Sequence, residues 1–220
     1  MLMVFRTLWV AAVVALFGVS VMVSPAQAEQ NRFEQSNLIG SSDRLPSIPV
    51  KAIRKVRCGG GHGTGFVTGS DTLVTAYHVV AHQKRCVDDE TGELLTVVTF
   101  DPALDIATLH FATTRHSQWL RINCNGFTTS GTYYSFGFAG VGDSDLMMTR
   151  IRPLEGYADS QTEPVFHHMR ELTGVVIPGM SGGPIVDDTG QVVGMNNLTS
   201  NGYKNGLSRE LKDTYFCQKR

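Results

Sequence analysis

Pro178-Gly179-Met180-Ser181-Gly182-Gly183-Pro184-Ile185-Val186-Asp187-Asp188-Thr189-Gly190-Gln191-Val192-Val193-Gly194-Met195 carries two signals. The second half is a strand pair. Pro184 to Val186 and Gln191 to Met195 are short β-rich runs joined by Asp187-Asp188-Thr189-Gly190, where glycine supplies the positive φ that a tight hairpin needs. The first half sets one serine among glycines. A serine hydroxyl is a poor nucleophile unless a base takes its proton and donors stabilise the oxyanion formed on attack. Glycines let the backbone turn tightly, so that the amides of Gly179 and Ser181 can serve as those donors. Gly-Ser-Gly strings also occur in plain loops, so this string does not decide function alone.

Outward from it the chain stays short and β-like. Strand candidates are Gly65 to Gly69, Thr72 to Thr75, Leu94 to Phe100, Asp105 to Phe111, Thr132 to Phe138, Leu146 to Ile151 and Val165 to Leu172. Clusters of Gly, Asn and Asp separate them, which is the pattern of a sandwich or barrel. Only the C-terminus reads as helix: Ser208 caps a run to about Phe216, with Leu207, Leu211 and Tyr215 spaced by four. Periodicity gives a mainly β chain and does not distinguish a sandwich from two barrels.

Two further strings bear chemistry. Leu73-Val74-Thr75-Ala76-Tyr77-His78 delivers a histidine at a strand end, a place where a lone histidine is more often structural. Asp101-Pro102-Ala103-Leu104-Asp105-Ile106-Ala107-Thr108-Leu109 sets an aspartate directly ahead of an apolar strand. Buried alone that carboxylate is costly. It becomes reasonable if it accepts a proton from a histidine ring and fixes its tautomer. Asp101 is the rival acid and reads as a turn former before Pro102.

Together, and in the chain order His, Asp, Ser, the three strings resemble the trypsin-like serine peptidases. Thr-Ala-Tyr-His78 is similar to that family's Thr-Ala-Ala-His, Asp105-Ile-Ala-Thr-Leu to its Asp-Ile-Ala-Leu, and Gly-Met-Ser181-Gly-Gly-Pro to its Gly-x-Ser-Gly-Gly-Pro. The 27-residue step from His78 to Asp105, and Gly63-Thr64-Gly65-Phe66-Val67 ahead of it, look closest to the bacterial HtrA-like protease domain. The likeness covers most of residues 55–200. It implies an all-β fold of two six-stranded antiparallel β-barrels, about 50–125 and 126–206, with the site in the cleft between them, and a C-terminal helix and tail over 207–220. It further implies a serine endopeptidase with Ser181 as nucleophile, His78 as base, Asp105 as orienting acid and the Gly179 and Ser181 amides as oxyanion hole. No metal or organic cofactor enters that chemistry, and its partners are polypeptide substrates.

Departures narrow the resemblance. Digestive members carry an aspartate before the nucleophile to receive a freed N-terminus; here that residue is Met180. HtrA-like chains continue into a PDZ domain, whereas this sequence ends at Arg220, 39 residues past Ser181, so none is expected. The pocket wall is implied at Val175 to Pro178 and Asn196 to Thr199, with Val175, Val176, Asn196, Asn197 and Leu198 as substrate-binding residues. Val175, near the position of trypsin's basic-selective aspartate, argues against a Lys or Arg preference and for medium apolar side chains; Asn196 and Asn197 leave a polar reading open. Of the cysteines, Cys58 and Cys86 stand where the family ties the strand before the histidine to the segment after it. Cys124–Cys217 is then the remaining pair, one of the three connectivities four cysteines allow.

The termini and composition set the outer bounds. Arg6, an apolar run from Leu8 to Val23 and the ending Ala26-Gln27-Ala28 read as a secretory signal over 1–28, cleaved to leave a polar lead-in over 29–49 and no stable membrane insertion. An uncleaved anchor is the alternative. Even cysteine count and export point to disulfides in a secreted or periplasmic protein. A tetrahedral zinc site from Cys58, His62, His82 and Cys86 is the competing use of those residues. Net charge is −1, with no long basic run, so nucleic acid and acidic lipid are poor partners. His167 and His168 read as one exposed and one packed rather than as cleft residues. His110, His116, Trp119 and Tyr133 read as structural or surface positions. A protease-fold binding protein with no catalysis is the rival function; oligomeric state is not encoded.

Overall fold

The structure is a computed structural model that describes residues 45–83, 85–140, 145–160, 166–174, 176–199 and 205–218. The expected signal segment, most of the lead-in, and Val175 lie outside the described residues.

Six short strands close the first barrel: β1 (Ile53–Cys58), β2 (Gly61–Val67), β3 (Thr72–Thr75), β4 (Cys86–Asp88), β5 (Leu94–Asp101) and β6 (Ile106–Phe111), in the order β1-β2-β3-β6-β5-β4. All pairings are antiparallel. Phe66, Leu73, Ile106 and Leu109 of these strands are fully buried. β1 escapes the apolar pattern because Arg54, which reads as a surface residue, is buried and pairs with Asp88 of β4 at 2.5 Å. A buried ion pair of this kind forms only once its two strands are side by side.

The second sheet has seven strands: β7 (Tyr133–Phe138), β8 (Leu146–Ile151), β9 (Pro153–Ala158), β10 (Met169–Thr173), β11 (Pro184–Asp187), β12 (Val192–Thr199) and β13 (Asn205–Glu210), ordered β8-β7-β11-β12-β13-β10-β9. Its outermost strands, β8 and β9, are separated only by Arg152, so the sheet curls until its two edges meet there. Counted as one strand kinked at Arg152-Pro153, they give the six strands of the expected second barrel. β11 and β12 form the anticipated hairpin: the amides of Thr189 and Gln191 donate to Asp187 Oδ1, and Gly190 takes φ +82°.

The C-terminal expectation needs correction. Ser208 does not cap a helix; residues 205–210 form β13, bonded to β10 on one side and β12 on the other. A 3₁₀ turn follows over Leu211–Asp213, and helix is confined to one turn, Tyr215–Gln218 (α2). The four-residue spacing of Leu207, Leu211 and Tyr215 mimicked a helix, while Ser208, Arg209 and Glu210 hid a strand because they are polar and yet buried. A further single helical turn, α1, spans Tyr77–Val80. No helix among the described residues is long and apolar enough to cross a membrane.

Candidate active site

His78 and Asp105 meet because of β3 and β6. These strands pair antiparallel, with Thr75 opposite Ala107, so the end of β3 lies beside the start of β6. His78 follows in α1, and Asp105 is the residue before β6. Asp105 sits in the left-handed region at φ +52° and has no exposed surface. Its turn closes by its own amide on Pro102 O and by the amides of Ala103 and Leu104 on Asp101 Oδ1. Asp101, the rival acid, is thereby spent on shaping the turn.

Both Asp105 oxygens serve the histidine. Oδ1 accepts the His78 backbone amide at 2.8 Å, and Oδ2 lies 2.7 Å from His78 Nδ1. A carboxylate on Nδ1 leaves the ring proton there and Nε2 as the free base. Oδ2 also accepts from Asn197 Nδ2 at 2.7 Å, so the acid is held by three donors. Phe166, buried, stands against the imidazole with ring centroids 6.3 Å apart.

Ser181 comes from the turn between β10 and β11. Gly182, at φ +84°, lies so close to β2 and β3 that a Cβ would stand 2.2 Å from both Thr64 O and Thr75 Oγ1. Gly179, at φ +94°, would meet Phe138 O at 2.3 Å and His62 Nε2 at 2.6 Å. The amides of Met180, Gly182 and Gly183 are committed, to Ile177 O, Asn196 O and Met180 O. Those of Gly179 and Ser181 have no partner among the described residues. These are the two donors an oxyanion hole at this turn needs.

Thr64 of β2 fastens this turn to the first barrel. Its amide donates to Ser181 O at 2.8 Å, while its hydroxyl donates to Gly179 O and accepts from the Phe138 amide. The Ser181 hydroxyl donates to Asn197 O at 2.9 Å. Among the described residues it makes no hydrogen bond to His78.

The remaining expected positions are distributed around this centre. Asn196 and Asn197 are fully buried. Asn196 accepts from Ser135 Oγ and donates to Phe136 O, and Asn197 joins Asp105 to Arg209. The register of β12 against β13 shifts between Asn196 and Leu198, at Asn197. Val176 is buried against Gly206, and Leu198 packs on Phe166, Met169 and Leu207. Met180, fully buried, lies against Gly137 of β7. His167 is exposed and bonded to Asp159; His168 stacks on Tyr157 at 3.8 Å.

Cys58–Cys86 and Cys124–Cys217 are disulfides. The first consumes both thiolates of the competing zinc reading, and no group of three or more potential ligands lies together among the described residues. Three participants escaped the sequence reading. Thr64 was visible only as part of Gly63-Thr64-Gly65-Phe66-Val67, Asn197 was placed on the pocket wall, and Arg209 had no signal.

Known proteins resemble this chain in sequence and in fold. A family model described as a trypsin-like peptidase domain matches residues 63–195, more than half of the 220-residue chain. Serine protease Rv3671c of Mycobacterium tuberculosis is 33% identical over 142 residues, covering 60% of this chain and 35% of that protein. Mitochondrial serine protease HTRA2 of Bos taurus is 29% identical over 147 residues, covering 62% and 31%. The chain thus spans about a third of the length of these relatives. Among solved structures, the active form of the Rv3671c protease matches with a TM-score of 0.64 at 22% identity, covering 76% of this chain and 83% of that one. The MamO protease domain of Magnetospirillum magneticum gives 0.61 at 21%, covering 73% and 92%. These structural likenesses, at such identities, speak for the fold.

Proposed function

Because the chain belongs to the trypsin-like peptidase domain family, we propose that it is a serine endopeptidase acting through an acyl-enzyme on Ser181. The observation that carries this reading is the pair of amides, Gly179 and Ser181, that have no partner among the described residues while those of Met180, Gly182 and Gly183 beside them are bonded. Two donors are thereby left beside the serine, where a carbonyl oxygen under attack gains charge.

Ser181 Oγ first leaves Asn197 O by a side-chain rotation toward His78. It attacks the scissile carbonyl carbon while His78 Nε2 takes its proton, and the Gly179 and Ser181 amides bind the oxyanion. The C–N bond then breaks, and His78 returns the proton to the leaving amine. Water repeats the cycle on the ester: His78 takes its proton, the acid product leaves, and Ser181 recovers its hydrogen. Asp105 holds the imidazole and stabilises its cation throughout. Buried Met180 supports an oxyanion hole set without an N-terminal ion pair.

Substrates on this reading are polypeptides, with medium apolar side chains at the cleavage site. The two disulfides support an oxidising compartment, secreted or periplasmic. The bond from the Ser181 hydroxyl to Asn197 O favours one rival, a resting or idle protease fold that binds without cutting. Fluorophosphonate labelling separates the two. Labelling of the wild-type protein that disappears in Ser181→Ala, together with peptide hydrolysis, is expected. A folded wild type that neither labels nor cleaves a peptide library would establish the rival.

A further inference from the structure

Arg209 is a charged side chain with 3% of its surface exposed, and it forms no ion pair among the described residues. Its guanidinium is spent on backbone carbonyls. Nε donates to Leu104 O at 2.9 Å, Nη2 to His167 O at 3.0 Å and Ala103 O at 3.5 Å, and Nη1 to His168 O at 3.3 Å. Its backbone amide donates to Asn197 Oδ1 at 2.8 Å. Burying a cation to hold four carbonyls is expensive, so what those carbonyls belong to matters.

Two of them belong to the turn that presents Asp105, and two to the segment after Phe166, the ring against His78. Asp105 and His168 are two of the non-glycine residues with positive φ, at +52° and +55°. A left-handed turn is held only when its surroundings over-determine it. The amide bond to Asn197 fixes which way that side chain faces: with Oδ1 occupied by Arg209, Nδ2 is left to donate to Asp105 Oδ2. Charge adds to geometry. The buried Asp105 carboxyl lies within the field of the Arg209 guanidinium, as do Asp101 and Asp213. Burial pushes the Arg209 pKa down, and those three carboxylates oppose it.

We propose that Arg209 is a positioning residue of the active site: reaching across from β13, it locks the Asp105 turn and the Asn197 amide so that the carboxylate meets His78 Nδ1. This rests on the peptidase reading only for its effect on turnover; the Asp105–His78 bond is observable without it. A fork is needed, since a single ammonium reaches fewer of four divergent carbonyls.

The test is the far-downfield proton NMR signal of His78 Nδ1–H, recorded beside kcat and KM for wild type, Arg209→Met and Arg209→Lys. In folded Arg209→Met the signal should vanish or move upfield, with kcat lowered about 10- to 100-fold and KM within about threefold. Arg209→Lys should fall between. An unchanged signal in folded Arg209→Met, or a loss confined to KM, overturns the proposal. Should that variant fail to fold, Arg209→Lys decides: wild-type signal and kcat overturn it. A wild type with the signal but no hydrolysis would sink the peptidase reading and leave this one standing.

Discussion

Asp105 pays for its burial with three hydrogen bonds, two from His78 and one from Asn197. On the proposed mechanism, Asp105→Asn keeps the shape but removes the charge that would support the imidazolium and favours the wrong ring tautomer. We expect kcat to fall about 10⁴-fold with little change in thermal unfolding, checked by steady-state kinetics and calorimetry. Gly182 is constrained by space and by conformation at once. Its Cβ direction points at backbone and side-chain oxygens 2.2 Å away, at φ +84°. Gly182→Ala should therefore cost about 3 kcal/mol or more and lower the unfolding midpoint visibly. A near-wild-type midpoint would mean that the two barrels give way at this contact.

At the scale of elements, β13 shows how buried polar groups are made tolerable. Glu210, 2% exposed, accepts from Tyr157 and Arg170 and lies 2.8 Å from Lys212 Nζ. Burial works to raise its carboxyl, but hydrogen bonds from Lys212, Arg170 and Tyr157 outweigh it and hold the pKa below the ordinary 4.5. A depressed carboxylate stabilises the fold fully above its unfolded value and loses that contribution as pH falls through the folded one. Wild-type stability should thus decline as pH drops below about 4.5. Glu210→Gln should lose about 3 kcal/mol at neutral pH and show a shallower decline in acid, read from urea unfolding at several pH values. The Cys124–Cys217 bridge closes a span of 93 residues and ties α2 to the segment between the sheets. Replacing both cysteines with serine should cost about 4–5 kcal/mol by loop entropy, measurable by the same method.

Over the whole molecule, the site exists only where the first barrel meets the second sheet. His78 and Asp105 come from one, Ser181 from the other, and Thr64, Asn197 and Arg209 span the join. Thr64→Val should leave Gly179 O and the Phe138 amide unpaired, costing about 1–3 kcal/mol. It should also slow fluorophosphonate labelling of Ser181, because the Gly179–Met180 peptide, which joins the Gly179 amide to the nucleophile, loses its anchor on the first barrel. Unaltered labelling in the folded variant would show that Gly179 is held by other means. The sequence by itself determined a mainly β chain, the β11–β12 hairpin, and the three strings around His78, Asp105 and Ser181. Each of these is local: glycine conformations, strand periods and the oddity of an acid ahead of an apolar strand are written within a few residues. The likeness to a known family supplied the barrels and the Cys58–Cys86 pairing. Only the tertiary structure decided that β1 and β13 are strands, that Asn197 is buried against Asp105, and that Arg209 reaches Leu104. Those outcomes depend on buried polar residues finding partners 34 to 106 positions away. Read alone, such residues look like surface, because nothing near them in the chain says what will satisfy them.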